Sequence, residues 1–274
     1  MGNDATWNFM DPASRGTLLE TLRTEADGFF ALAGTAEWEA PTACTEWQVR
    51  DAVGHMIDVT EGYFIGFDHA RQGSDAPAAA GLTVMADRLD DHARAFRSLA
   101  RADTLKRATE DYERMLAIVD GLSDEEWTSL LVAHPYLGPV PAGFYPEFQL
   151  IDYAVHSWDI REGIGAQRPL SGAAADLLVP VALIIWQATA NPAALSEPFA
   201  FGVRVTSGAN AGTWRFDCAP DGVSYAPAEV DDLPAVLEAD PGSFVLSVMG
   251  RVSAGTVRGD TAVLDRYRSL LFPI

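Results

Sequence analysis

Five histidines, His55, His69, His92, His134 and His156, are the residues of this chain best suited to chemistry. Asp152 lies four residues before His156, and Asp159 lies three residues after it. In a helix that spacing puts all three side chains on one face. A carboxylate and an imidazole one turn apart can share a metal ion, and a further carboxylate can orient the imidazole from behind. The same pair can also be an ordinary hydrogen bond on a helix surface. His55 sits among Ala52, Val53, Met56 and Val59, on or beside an apolar stripe. A histidine there is either a ligand or a satisfied core residue. Neither pattern by itself establishes a metal site. His69 and His92 stand among charged residues and read as solvent-facing. About four helical turns separate His55 from His69, too far for a shared ion. His134, just before Pro135, reads as a loop or pocket-lining residue.

Other chemical signatures are missing. The chain has no glycine-rich phosphate loop, no zincin helix motif and no serine nucleophile elbow. Gly208-Ala209-Asn210-Ala211-Gly212 reads as a hairpin turn, not a nucleotide cradle. The two cysteines, Cys44 and Cys218, are too few for a disulfide framework and read as reduced thiols. Cys44 precedes a helix start, where a thiol is either activated by the helix dipole or inert and half-buried. Trp38, Trp47, Tyr63, Phe64 and Phe67 read as packing residues.

The elements that must position the histidines follow from periodicity. Ser14 can cap a helix through about Ala33, with Leu18, Leu19, Leu22, Ala26 and Phe29/Phe30 at helical spacing. Thr45-Glu46-Trp47-Gln48 has the form of a capping box and predicts a second helix from Trp47 to about Gln72. Residues 72–77 read as a loop. Residues 82–101 and 103–121 read as one interrupted helix or two. Ser123 caps a short helix, and Pro135, Pro139 and Pro141 exclude a long one from about 135 to 143. Pro146 fits the first turn of a helix running to about Gly163. After Gly163-Ile164-Gly165 the pattern changes. Residues 171–189 stay helical, with Pro180 kinking that helix or starting a new one. Short alternating runs follow at Phe199–Val205, Gly212–Cys218, Val223–Ala226 and Ala235–Ala239. Helices close the chain, from Ser243 to about Met249 and from Thr261 to Leu271. The reading is an all-helical region and then an α+β region, with a boundary near 165–172.

Composition bounds the partners. The chain has 274 residues, with 39 acids against 19 bases and a formal net charge of −20. Such a surface repels phosphate backbones and anionic membranes, so neither nucleic acid nor membrane is expected as a partner. A small acidic substrate stays possible through a local cationic site. No run approaches the ~20 apolar residues of a spanning helix, and Leu177 to Ala188 reads as a buried helix. The opening Met1-Gly2-Asn3-Asp4-Ala5-Thr6-Trp7 lacks the basic and apolar regions of a signal peptide, so a cytoplasmic location is expected. Lys106 is the only lysine among many arginines and alanines, which suggests a high-GC genome.

Read in order, the pieces resemble a known family. Cys44-Thr45-Glu46-Trp47-Gln48-Val49-Arg50-Asp51-Ala52-Val53-Gly54-His55 resembles the C-x-x-W-x-V-x-D-x-x-x-H opening of the mycothiol-dependent maleylpyruvate isomerase family. Val155-His156-Ser157-Trp158-Asp159-Ile160 resembles its V-H-x-W-D-[LI] helix, and His134 to Pro141 resembles the proline-rich stretch before it. Gly250-Arg251 and Val257-Arg258-Gly259-Asp260, followed by a terminal helix, resemble the ending of its second domain. The resemblance implies a fold of class α plus α+β. Its parts would be a DinB-like four-helix bundle over 1–168 and a small sterol-carrier-protein-like α+β domain over 169–274. It implies an actinobacterial source. It places a divalent metal, usually zinc, on positions matching His55, Asp152 and His156. The family carboxylate is usually Glu, so Asp152 is a departure, one methylene shorter. Glu147 points roughly 180° away from His156 on an ideal helix and is a poor substitute.

The resemblance further implies that mycothiol, ionised at the open metal position, adds to a small electrophile. In the isomerase, maleylpyruvate becomes fumarylpyruvate; relatives would transfer or conjugate the thiol. Arg251 matches an arginine that the second domain contributes to catalysis, where it can neutralise a substrate carboxylate. The expected partners are a small-molecule substrate and a thiol, and the chain is expected to be a monomer or homodimer. The alternative is a non-catalytic protein that binds metal or an apolar ligand on the same fold.

Overall fold

The computed structural model describes residues 7–272, in two compact units. Residues 1–6, which carry most of the signal-peptide reading, lie outside the described residues.

The first unit spans Asn8–Leu170. Its helices are α1 (Arg15–Thr35), α2 (Val49–Gln72), α3 (Leu82–Arg94), α4 (Arg101–Asp120), α5 (Asp124–Ser129) and α6 (Phe144–Gly163). α1 packs along α6 and buries Leu18, Leu22, Ala26, Phe29 and Ala33, the apolar stripe expected for one helix face. α2 packs on α3 and α4. The break between α3 and α4 falls at a 3-10 turn, Ala95–Ser98.

Two expectations need correction here. α2 does not begin at Trp47 on a Thr45 box. Glu46 has a φ of 65°, a left-handed conformation that a helix cannot include. Trp47 therefore stays outside, and Gln48 is the cap residue, its amide donating to Asp51 Oδ2 at 2.8 Å. Nor is the first unit all-helical. β1 (Leu131–His134) and β2 (Gly138–Pro141) form an antiparallel hairpin. Its turn, Pro135 to Leu137, closes on Gly138, whose φ of 85° suits the left-handed position that a three-residue hairpin requires. Pro139 and Pro141 lie on a strand with one partner only, where a missing amide costs no ladder bond. β1 packs on α2 at Gly66, where a Cβ would collide with the Ala133 carbonyl.

The second unit takes in Trp7 and the described residues from Ser171 onward. Pro180 starts a new helix, so α7 (Gly172–Leu177) and α8 (Val179–Ala188) are separate. Strands β3 (Phe199–Val205), β4 (Gly212–Ala219), β5 (Gly222–Pro227), β6 (Ala235–Ala239) and β7 (Thr256–Gly259) form one sheet. Its order is β5-β4-β3-β6-β7, with β3 and β6 parallel and the other pairs antiparallel. β7 was not foreseen, because four residues bounded by glycines carry little periodicity. α9 (Pro241–Val248) and α10 (Thr261–Arg268) complete the unit, and α10 ends three residues before the expected Leu271. Trp186, Phe201, Phe216, Phe244 and Tyr267 fill the core. Register pairs Phe201 with Phe216, whose rings stack 5.0 Å apart. The Tyr267 hydroxyl donates to the Trp186 carbonyl at 2.6 Å, so this buried polar atom is satisfied. A helix-rich unit followed by a small sheet unit is the fold class the sequence implied. Among the described residues no helix is long and apolar enough to cross a membrane.

Candidate metal centre

α2 and α6 bring His55, Asp152 and His156 together in the first unit. One ligand atom from each lies within 4.8 Å of the others, and both histidines are buried. His55 Nε2 is 3.8 Å from Asp152 Oδ1. The two imidazole rings meet edge to face, 4.9 Å between centroids. Small side-chain rotations would let one divalent ion gather all three, with metal–ligand bonds of about 2 Å. The donor set fits, since two imidazoles and one carboxylate suit zinc and several other divalent ions.

Surrounding residues hold this arrangement. His156 Nδ1 is 2.9 Å from Asp159 Oδ2, and Asp159 is fully buried. A carboxylate on Nδ1 assigns Nε2 as the ligating atom and makes it more basic. The Asp159 carbonyl accepts from the Ala43 amide at 2.9 Å, tying the 40s loop to the end of α6. Gly163 seals the same junction, because a Cβ there would collide with the Pro41 carbonyl. At the start of α2, fully buried Asp51 accepts from Arg97 Nε and Nη2 at 2.7 and 2.6 Å. That charge-assisted pair fixes the helix one turn before His55. Gly54 lets α3 approach beside His55, since a Cβ would meet the Ala93 carbonyl.

Trp47 plays a part the sequence reading missed. Its indole stacks on His156 with centroids 5.5 Å apart and planes 26° apart, and its centroid lies 5.2 Å from that of His55. Its Nε1 donates to Asp90 Oδ1 at 2.7 Å. Trp47 thus covers both imidazoles, and the left-handed turn at Glu46 aims it there. A positive φ at a non-glycine residue is a feature that sequence does not display.

The remaining candidates separate. His69 Nδ1 meets Ser74 Oγ at 2.8 Å, and His92 Nδ1 meets Asp58 Oδ2 at 3.1 Å; neither joins the triad. Glu147 is fully buried, both carboxylate oxygens lack a partner among the described residues, and burial pushes its carboxyl well above the usual range. Cys218 is buried, and burial pushes its thiol up to about 12, so it is no nucleophile. Cys44 is half-buried. Arg251 follows α9 in the second unit, and its Nη1 donates to the Met249 carbonyl at 2.7 Å.

These features define a helix-rich unit with a three-ligand candidate centre, followed in sequence by a small sheet unit. The family model described as "Mycothiol maleylpyruvate isomerase N-terminal domain" matches residues 19–161. The chain belongs to the family that this domain defines. A crystal structure of the mycothiol-dependent maleylpyruvate isomerase is similar at 14% identity and a TM-score of 0.62, covering 93% of this chain and 97% of the other. A crystal structure of a histidine-to-alanine mutant of that enzyme gives the same values: 14%, 0.62, 93% and 97%. The colibactin self-resistance protein ClbS, in complex with double-stranded DNA, aligns over 55% of this chain and 95% of its own at 12% identity and a TM-score of 0.47. No curated protein matches.

Proposed function

We propose that this chain is a metal-dependent enzyme that uses mycothiol to isomerise, or to conjugate with sulfur, a small electrophilic acid. The observation that carries the reading is the convergence of His55, Asp152 and His156 from two helices in a chain of this family. Zinc is the ion proposed, and its chemistry would be to acidify a coordinating thiol. The chain's own residues do the rest. Asp159 orients His156, Trp47 covers one side of both imidazoles, and Asp51 with Arg97 holds the start of α2.

In isomerisation, the thiol sulfur bonds to one carbon of a cis double bond and a proton goes to the neighbouring carbon. The new single bond rotates. Loss of the thiol and that proton then leaves the trans alkene. The electrophile's carboxylates need positive charge against an overall charge of −20, and we assign that task to Arg251. The reaction belongs in the cytoplasm, where low-molecular-weight thiols are kept reduced.

Elemental analysis before and after dialysis against zinc, with an assay of mycothiol and maleylpyruvate, tests the reading. About one metal per chain and thiol-dependent turnover are expected. A protein that stays metal-free after zinc dialysis would rule the reading out.

A further inference from the structure

His134 is the buried histidine that the triad does not use. Its Nδ1 accepts from the Tyr136 and Leu137 amides, both at 3.2 Å, which caps the hairpin turn. Two donors on Nδ1 assign the proton to Nε2. Among the described residues no group accepts from that Nε2–H. The ring is enclosed by Tyr63 at 5.5 Å, Phe148 at 5.3 Å and Tyr145 at 6.3 Å between centroids.

These neighbours place His134 one to two helical turns along α2 and α6 from the candidate centre. Phe148 lies four residues before Asp152 on α6, one turn or about 6 Å along the axis. Tyr63 lies eight residues after His55 on α2, about 12 Å along that axis. The two helix faces that carry the triad therefore continue to the His134 ring. Gly62 and Gly66 seat the hairpin on α2 at this level, with a Gly62 Cβ 3.3 Å from Pro135 Cγ.

We infer that His134 is a specificity-determining residue of this site, its Nε2–H donating to a carboxylate or carbonyl oxygen of the small electrophile. The inference rests on the functional reading above and adds a recognition group to it. The ring offers a directed donor without positive charge, because an imidazolium would aim a second N–H at two amide donors. Such a group selects an oxygen acceptor one or two helical turns from the sulfur site. The aromatic rings on its sides lower the local dielectric and strengthen the hydrogen bond.

Two substitutions separate recognition from turn capping. In H134N the side-chain oxygen can take the place of Nδ1, which keeps the turn acceptor but removes the distal donor. H134Q offers an N–H near the old Nε2 and gives up the turn acceptor. The probe is maleate, a cis-alkene diacid that is inert without thiol, titrated calorimetrically into full-length, zinc-dialysed protein. Metal content and thermal midpoint are measured alongside. H134N should bind maleate at least about tenfold more weakly with its thermal midpoint held, and H134Q should stay within about threefold despite a lower midpoint. Equal binding by wild type and H134N would overturn the inference. So would affinity that tracks thermal midpoint across both variants, or no maleate binding by metal-loaded wild type. A wild type that takes up no metal sinks the functional reading instead. His134 is then judged on the metal-free protein, where equal or absent maleate binding overturns the inference.

Discussion

The two units bury different things. In the second, Thr189 and Asn210 are the buried polar residues among the described ones, and the centre is a cluster of aromatic rings around Trp186. In the first, Asp51, His55, His134, Glu147, Gln149, His156 and Asp159 are all buried. A core of rings is stabilised by packing and tolerates no charge; a core with carboxylates and imidazoles demands a partner for each. Asp51 and Asp159 have theirs in Arg97 and His156, while neither oxygen of Glu147 has one among the described residues. The contrast teaches that the buried carboxylates and imidazoles are concentrated in the first unit, on α2, β1 and α6, while rings pack the centre of the second.

Four changes would break or sharpen that contrast. The largest effect belongs to His156→Ala, which should bring metal content after zinc dialysis close to zero by elemental analysis. Retention of a full equivalent would show that the triad is not the centre. Next, Trp186→Ala should destabilise the second unit by about 3–5 kcal/mol in urea unfolding, with metal content unchanged. Loss of metal in that variant would mean the two cores are not separable.

Glu147→Leu should do the opposite. Burial keeps the folded carboxyl protonated above the unfolded value of 4.5, so stability falls as pH rises past 4.5. Removing the group should raise stability by about 2 kcal/mol at neutral pH and flatten that pH dependence. Urea midpoints from pH 4 to 8 measure both, and an unchanged slope would show that Glu147 ionises in place.

The smallest effect belongs to Asp111, on α4 facing Glu61 of α2. Burial first, then the charge of Glu61, push its carboxyl up to about 6. Its contribution is unfavourable above pH 6, shrinks as pH falls from 6 to 3.8, and vanishes below. Solvent screens the site, so Asp111→Asn should gain less than about 1 kcal/mol at pH 7 and nothing near pH 3.5. Thermal midpoints at the two values decide it.

Long periodic helices were legible in the sequence, and so were the turns that punctuate the sheet. Pro146 marked α6 and Pro180 the start of α8, since proline acts locally and leaves a plain trace. The hairpin at 131–141 was not legible. Its strands are four residues each and three of the relevant residues are prolines, which signal a break without saying what replaces the helix. The triad followed the same logic. Asp152 and His156 were joined by helical period alone, whereas His55 needed the packing of a second helix, roughly a hundred residues earlier, which only the family pattern supplied. Trp47 and His134 were readable as aromatic and polar residues. Their roles depend on a left-handed turn at Glu46 and on two amides folded back onto Nδ1. Neither leaves a compositional mark.

The indole over the two imidazoles has an optical consequence. Emission from Trp47 arises within 5.5 Å of both ring centroids, a range at which a neighbouring open-shell ion quenches efficiently. Copper or nickel held by those rings would darken Trp47, while closed-shell zinc would leave it bright. Displacing one ion by the other would then be visible as light, in unlabelled protein and in real time.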